Sequence, residues 1–359
     1  MTTTQGDANH PFACRHTQDF PELLMRCGCS LMITTYQGGK VMMISPQDED
    51  TLVQLPRAFD EPMGLALAGR KLALGTKQEL LVFSNEPELA QSYPEKPGVY
   101  DAMFFPRRLY FTGQLSMHDL AWGNSGLLGV NTLFSCLCHF DSEHNFTPIW
   151  QPPFISELVP EDRCHLNGLA LEDGEPRFVT ALGETDQARA WSPGRAGGGI
   201  VMDLRSGEVI TRGLAMPHSP RLHQGWLYVL ESATGEVVRI DPQSGEREVI
   251  RRLPGFVRGL SIHGEYLFIG LSKLRRGSIG GLDKLPVQEQ PMQSGVSVIH
   301  LPSGTLAGEL VYQNSCDEIY EVLALPGIFR PNVLGMHNTV HRRALSIPGQ
   351  TFWSEVAEK

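Results

Sequence analysis

The sequence predicts an all-β protein, a six-bladed β-propeller whose last blade is closed by strands from the N-terminus. Three observations carry this expectation. Short hairpins of one pattern recur along the chain, other hairpins with Ser-Gly turns lie between them, and one N-terminal hairpin has no inner strands of its own. Self-similarity of this kind marks a repeat architecture, and six units of four strands make a propeller.

The recurring unit is first "EPMGLALAGRKLALGT", residues 61–76, then "SMHDLAWGNSGLLGVNT", residues 116–132. It returns as "HLNGLALEDGEPRFVTALG" from 165, "PHSPRLHQGWLYVLES" at 217–232 and "FVRGLSIHGEYLFIGLS" at 256–272. A weaker sixth copy, "DEIYEVLALPG", starts at 317. Each copy has a polar start, a short apolar strand, a turn and a second short apolar strand, as a hairpin requires. Outer hairpins follow in "GGGIVMDLRSGEVITRGL", "GEVVRIDPQSGEREVIRRL" and "GVSVIHLPSGTLAGELVY". A β-sandwich or two small β domains explain these copies less well.

The sixth unit runs out of chain after its inner strands, near "PNVLGMH". The hairpin "SLMITTYQGGKVMMI" at 30–44 is therefore expected to supply the outer strands of the last blade, which removes a free sheet edge. The chain then divides into an arm over 1–29, a single propeller over 30–345 and a tail over 346–359. Pro11, Phe12, Phe20, Leu23 and Leu24 are the expected anchors of the arm.

Composition agrees and narrows the function. The chain has 359 residues, 41% of them hydrophobic, with 37 glycines and 25 prolines, which suits many turns and short strands. A formal charge of −10 argues against a nucleic-acid partner, which needs a basic surface. No apolar run is long enough to span a membrane, and the N-terminus lacks a secretory leader pattern. Seven cysteines without a C-x-x-C pair are expected to be reduced thiols in a cytoplasm. Two C-x-C pairs, Cys27/Cys29 and Cys136/Cys138, are expected to place both thiols on one strand face, for packing or for metal or redox use.

In a propeller the polar starts of all inner strands converge on one mouth of the channel. The residues gathered there are expected to include His118, His165 and His218, with Asn167, Arg163, Arg221, Arg258, Asn131 and Lys273. Glu318 and Glu321 arrive from the sixth unit. The basic members point to a small anionic ligand, such as a carboxylate or phosphate. They can equally pair with Asp162, Glu184 and Glu231 as structural ties. Three roles stand open for the histidines. They can tie loops by hydrogen bonds. They can ligate one divalent metal, iron, copper or zinc. One of them can transfer a proton with help from a carboxylate such as Asp119 or Glu318, or Glu321 can accept it. The stretch "SKLRRGSIGGLDKLP", 272–286, is a candidate lid or a plain surface loop. Trp122, Trp226 and Trp353 read as blade packing, and no G-x-S-x-G elbow marks a serine nucleophile.

The phrases "NTLFSCL", "PIWQPPFISELVPEDRCHLNGLAL", "VTALGETD", "MPHSPRLHQGWLYVL", "LPGFVRGL" and "GLSKLR" together resemble an uncharacterised bacterial β-propeller family, a domain of unknown function. The resemblance spans roughly residues 30–330 and implies a cytoplasmic propeller, with no mechanism attached to it. Two function classes follow. One is an enzyme acting on a small anion at the mouth, possible metal assistance included, by redox or lyase chemistry. The other is a non-catalytic scaffold binding a peptide or protein partner on the same face.

Overall fold

The structure is a computed structural model that describes residues 2–5, 10–274, 285–289, 291–337 and 339–355. Six small antiparallel sheets stand in a ring, each a meander running from the channel outward. Blade 1 has strands Leu65–Ala68, Lys71–Gly75, Glu79–Asn85 and Ala102–Phe111. Blade 2 has Met117–Gly123, Gly126–Asn131, Cys136–His139 and Thr147–Trp150. Blade 3 has Leu166–Glu172, Glu175–Ala181, Gly199–Asp203 and Glu208–Leu214. Blade 4 has Pro217–His223, Trp226–Glu231, Glu236–Ile240 and Arg247–Arg252. Blade 5 has Phe256–His263, Tyr266–Ser272, Gly295–His300 and Thr305–Tyr312.

Blade 6 closes the ring in a way that differs from the expected hairpin exchange. The C-terminal part gives only the innermost strand, Glu321–Pro326, and the N-terminal part gives the other three, Cys29–Thr35, Lys40–Pro46 and Leu52–Ala58. The second strand of the sixth unit, placed near "PNVLGMH" by sequence, is absent from this blade. Pro331–Val333 pairs in parallel with Ala102–Phe104 on the outer edge of blade 1 instead. Both chain ends thus cover sheet edges, since Cys14–Thr17 pairs on the outer strand of blade 5.

The packing explains why these strands are short and apolar. Clusters such as Leu128, Val130, Leu166, Leu169, Val179 and Ile200 fill the space between neighbouring blades. Of the expected anchors, Phe20, Leu23 and Leu24 are fully buried, and the Phe12 ring meets Tyr312 edge-on at 6.4 Å. The tail folds back as a hairpin, Ala344–Ile347 with Gln350–Trp353. Trp353 packs on Tyr93 and Phe105, in accord with its packing role.

Candidate functional site

At one end of the channel the inner strands do not start cleanly. Register slips by a bulge between Met117 and Leu120, Leu166 and Gly168, His218 and Arg221, and Val257 and Leu260. Just before or within these stretches, Ser116, His165, Met216 and Ser219 hold φ of 51–55°, and Glu61, before the inner strand of blade 1, holds 43°, a region non-glycine residues seldom occupy. Bulges and left-handed residues cluster where a fold re-aims side chains. Here they turn the polar starts of the blades inward around one cavity of about 290 Å³.

All six blades line it. His118, His165, His218, Arg258, Lys273 and Glu318 of the expected site meet there. So do Tyr36, Trp191, Phe256 and Tyr320, aromatic residues that no sequence pattern singles out. The His118 and His165 ring centres are 4.8 Å apart, edge to face. His165 stacks against Trp191 at 4.4 Å, and His118 lies 5.7 Å from Tyr320.

The histidine tautomers follow from their partners. His118 Nδ1 is 3.0 Å from the Ser116 carbonyl and 2.8 Å from the Thr132 hydroxyl. His218 Nδ1 is 2.9 Å from the Met216 carbonyl and 2.9 Å from the Ser232 hydroxyl. A carbonyl can only accept, so Nδ1 carries the proton in both and Nε2 keeps its lone pair. Burial, with His165 and Arg258 nearby, pushes His118 well below the usual histidine range. Burial and Arg258 do the same to His218. His165 differs, because its Nδ1 lies 2.9 and 3.1 Å from the two Asp162 carboxylate oxygens. That is the geometry of a base oriented by a carboxylate.

Arg258 stands over the Tyr320 ring, its guanidinium carbon 3.4 Å from the ring centre. Arg258 Nη2 and Tyr320 Oη are both shut from solvent and make no hydrogen bond among the described residues. Two adjacent buried donors without an acceptor are costly.

The other expected site residues lie elsewhere. Arg163 turns to the rim, where Glu161, Asp186 and Ser156 take its guanidinium. Asn131 is buried and caps Phe134 N–H at 3.1 Å. Asn167 ties blade 3 to blade 4 through the Pro217 carbonyl at 3.0 Å. Arg221 and Glu321 sit deeper, on the axis. Arg221 Nη1 donates to Asp119 Oδ2 at 3.0 Å, and Nη2 reaches Glu321 Oε2 at 3.4 Å. These three groups separate the cavity from the opposite mouth, which Arg221 and Glu321 also line. Among the described residues no three His, Cys, Asp or Glu side chains are placed to hold one metal ion. Most of the expected lid, residues 275–284, lies outside the described residues.

Residues 18–334 match the family described as Domain of unknown function (DUF4915). Among curated proteins none matches the chain. Among solved structures, the chain is similar to the crystal structure of a nidogen/laminin complex at 12% identity. That match has a TM-score of 0.53 and covers 84% of this chain and 99% of that one. A protein of unknown function from Bacteroides caccae is 11% identical, with a TM-score of 0.46, over 83% of this chain and 99% of that one. The first likeness supports the fold alone.

Proposed function

The chain belongs to this family of unknown function, and we propose that its channel-mouth cavity binds a small organic acid and acts on it by proton transfer. The observation that carries the reading is Arg258. Its Nη2 is buried without an acceptor beside the equally unpartnered Tyr320 hydroxyl. An acid group between them accepts from both donors and meets a full positive charge, the strongest kind of hydrogen bond available here. Lys273 also lines the cavity, with its Nζ 3.8 Å from Asp317 Oδ1. The aromatic lining suits an apolar body behind the acid group, and about 290 Å³ is at the low end of small-molecule sites.

The histidines supply the chemistry. His118 and His218 are held neutral by burial, so they do not cancel the ligand's charge, and their Nε2 atoms are left as acceptors. His165, oriented by Asp162, is the general base or acid of this reading. Proton transfer accords better with the donor placement than a three-histidine metal site does. None of the seven cysteines forms a disulfide, and from this we infer a reducing compartment such as the cytoplasm. No helix among the described residues is long and apolar enough to cross a membrane.

The test is a thermal-shift and calorimetric panel of small mono- and dicarboxylates, aromatic acids and phosphates, each beside its neutral amide or ester. Acids are expected to bind the wild type, and Arg258→Met is expected to weaken them roughly tenfold to a hundredfold, the scale of a charge-assisted bond. Neutral analogues binding as tightly as acids, or acids binding Arg258→Met unchanged, sinks the reading.

A further inference from the structure

The three histidines of the cavity carry acceptors that nothing in the protein uses. His118 Nδ1 meets the Ser116 carbonyl at 3.0 Å, and His218 Nδ1 meets the Met216 carbonyl at 2.9 Å. His165 Nδ1 is 2.9 Å from Asp162 Oδ2. A carbonyl or a carboxylate only accepts, so each ring carries its proton on Nδ1, and each neutral ring keeps a lone pair on Nε2. All three residues line the cavity. Among the described residues no donor meets any of the three Nε2 atoms. None of them is sealed from solvent, as His223 Nε2 is at the opposite mouth.

A carboxylate cannot satisfy these atoms. It offers lone pairs only, and two lone pairs face to face repel. An acid group held between Arg258 Nη2 and Tyr320 Oη therefore leaves the imidazoles unmet. The hydrogen has to come from a second group on the same ligand, and the layout of the cavity says where that group sits. The His118 ring lies 5.7 Å from the Tyr320 ring, which makes it the imidazole beside the acid position. His218 lies 5.9 Å from Phe256 instead. Phe256 belongs to one buried cluster with Leu182, Trp191 and Met216, a wall suited to the carbon body of a ligand. A donor that meets His118 is thus close to the acid group and away from the apolar end.

We propose that the ligand is a hydroxy acid, whose hydroxyl, on the carbon next to the carboxyl group, donates to His118 Nε2. The proposal rests on the organic-acid reading and narrows it to one substrate class. An ammonium group also donates, but the charges oppose it. Arg195, Arg258 and Lys273 line the cavity against one anion, Glu318, with Asp317 beside Lys273. Burial, His165 and Arg258 keep a proton off His118, and the same surroundings disfavour a cation at its Nε2. A hydroxyl donates without bringing a charge.

The experiment titrates the native full-length chain by calorimetry at pH 7.5 with acids in matched pairs: lactate and propionate, malate and succinate, mandelate and phenylacetate. Every member is ionised at that pH, so each pair differs by the hydroxyl. Two further ligands separate the causes. O-methylmandelate keeps the oxygen and loses its hydrogen, and phenylglycine puts an ammonium in its place. The hydroxy acid is expected to bind at least about fivefold tighter than its partner, the value of one hydrogen bond. O-methylmandelate is expected to bind no tighter than phenylacetate, and phenylglycine more weakly than mandelate. His118→Phe is expected to erase the difference within a pair, whatever it does to both members.

Equal affinities within every pair that binds overturn the hydroxy-acid proposal and leave the organic-acid reading standing. Failure of all the acids to bind, hydroxylated or not, sinks both. An advantage kept by O-methylmandelate, phenylglycine binding more tightly than mandelate, or a difference that survives in folded His118→Phe also overturns the proposal. The wild-type pairs decide even if His118→Phe does not fold.

Discussion

His118 and His218 look interchangeable with His165 in the sequence, yet their surroundings assign them different work. In each of the first two, Nδ1 is fastened to a backbone carbonyl two residues back and to a hydroxyl at the end of the second strand. The same hydroxyls donate onward, Thr132 to the Leu166 carbonyl and Ser232 to the Val257 carbonyl. A tautomer held from two sides is a stiff one. Nitrogen-detected NMR at pH 6 is expected to show His118 and His218 as neutral Nδ1–H imidazoles, because burial keeps both well below the usual range. An imidazolium signal from either at that pH contradicts the assignment. The position of the three histidines was legible because each opens an inner strand. The fate of Arg163 and Arg221 was not. Arg163 lies two residues before His165 and faces outward, while Arg221 follows the bulge that begins at His218 and points down the axis. A one-residue slip reverses the side a strand residue faces, and a bulge leaves no mark that composition or alternation reveals. Tyr320 and Trp191 escaped for a related reason, since each reaches the cavity from a segment outside any regular strand.

Between elements, the ring is joined by small polar side chains at nearly every blade boundary. Thr34 Oγ1 donates to the Met63 carbonyl at 2.7 Å, from blade 6 to blade 1. Ser272 Oγ donates to the Ile319 carbonyl at 3.1 Å, just before the closing strand. Glycine serves the boundary of blades 5 and 6 as well: a Cβ on Gly259, at φ +79°, would stand 2.7 Å from Glu321 Cα, so the close approach there requires a residue without a side chain. Thr34 also accepts Glu321 N–H at 3.0 Å, which makes it the tie across the closing strand. Thr34→Val strands a buried carbonyl and a buried N–H and is expected to cost about 2 kcal/mol in urea unfolding. Thr305→Val, at the exposed first residue of the outer strand of blade 5, is expected to change stability by under about 0.5 kcal/mol. Equal effects at the two sites argue against the ring of ties. Deleting residues 30–45 is expected to abolish folding, read by circular dichroism, since blade 6 loses its second strand and most of its third. Five of the units were legible because each repeats an apolar inner hairpin, and the sixth because its innermost strand keeps the same apolar pattern. The one-plus-three closure was not, because the strand Glu321–Pro326 and the strand Cys29–Thr35 lie at opposite ends of the chain, and nothing local to either names its partner.

At the scale of the molecule, the axis holds two carboxylates and one guanidinium, Asp119, Glu321 and Arg221. Burial pushes Glu321 up to about 7, with Arg221 opposing and Asp119 adding to the rise. Folding therefore takes up a proton here between about pH 4.5 and 7, where an unfolded glutamate is ionised. The contribution is full below pH 4.5 and is lost as pH rises through 7. His118 and His218 work in the other direction. Their folded values are depressed, so the unfolded chain binds protons that the folded chain refuses, and stability falls as pH drops below about 6.5. Near pH 5.5 the two effects oppose each other, but two histidines outweigh one glutamate, and the wild type is expected to lose stability as pH falls by roughly one proton's worth, about 1.4 kcal/mol per pH unit. Glu321→Gln removes the term that favours low pH and leaves the histidines. Its acid-side slope is expected to steepen by up to about 1.4 kcal/mol per pH unit, the value of one proton. The slope, from urea unfolding at several pH values, isolates the proton from whatever the substitution costs at any single pH. Arg221→Met makes the complementary case. It leaves two buried carboxylates facing each other, and a loss of about 3 kcal/mol is expected at pH 8, the low end for a broken buried pair because the Arg221 side chain is a quarter exposed. That loss is expected to shrink toward pH 5, as Glu321 takes up a proton more readily without its cation. An Arg221→Met loss that does not change with pH, or a Glu321→Gln slope identical to the wild type, means that Glu321 does not titrate on the axis and that the channel floor is a fixed ion pair.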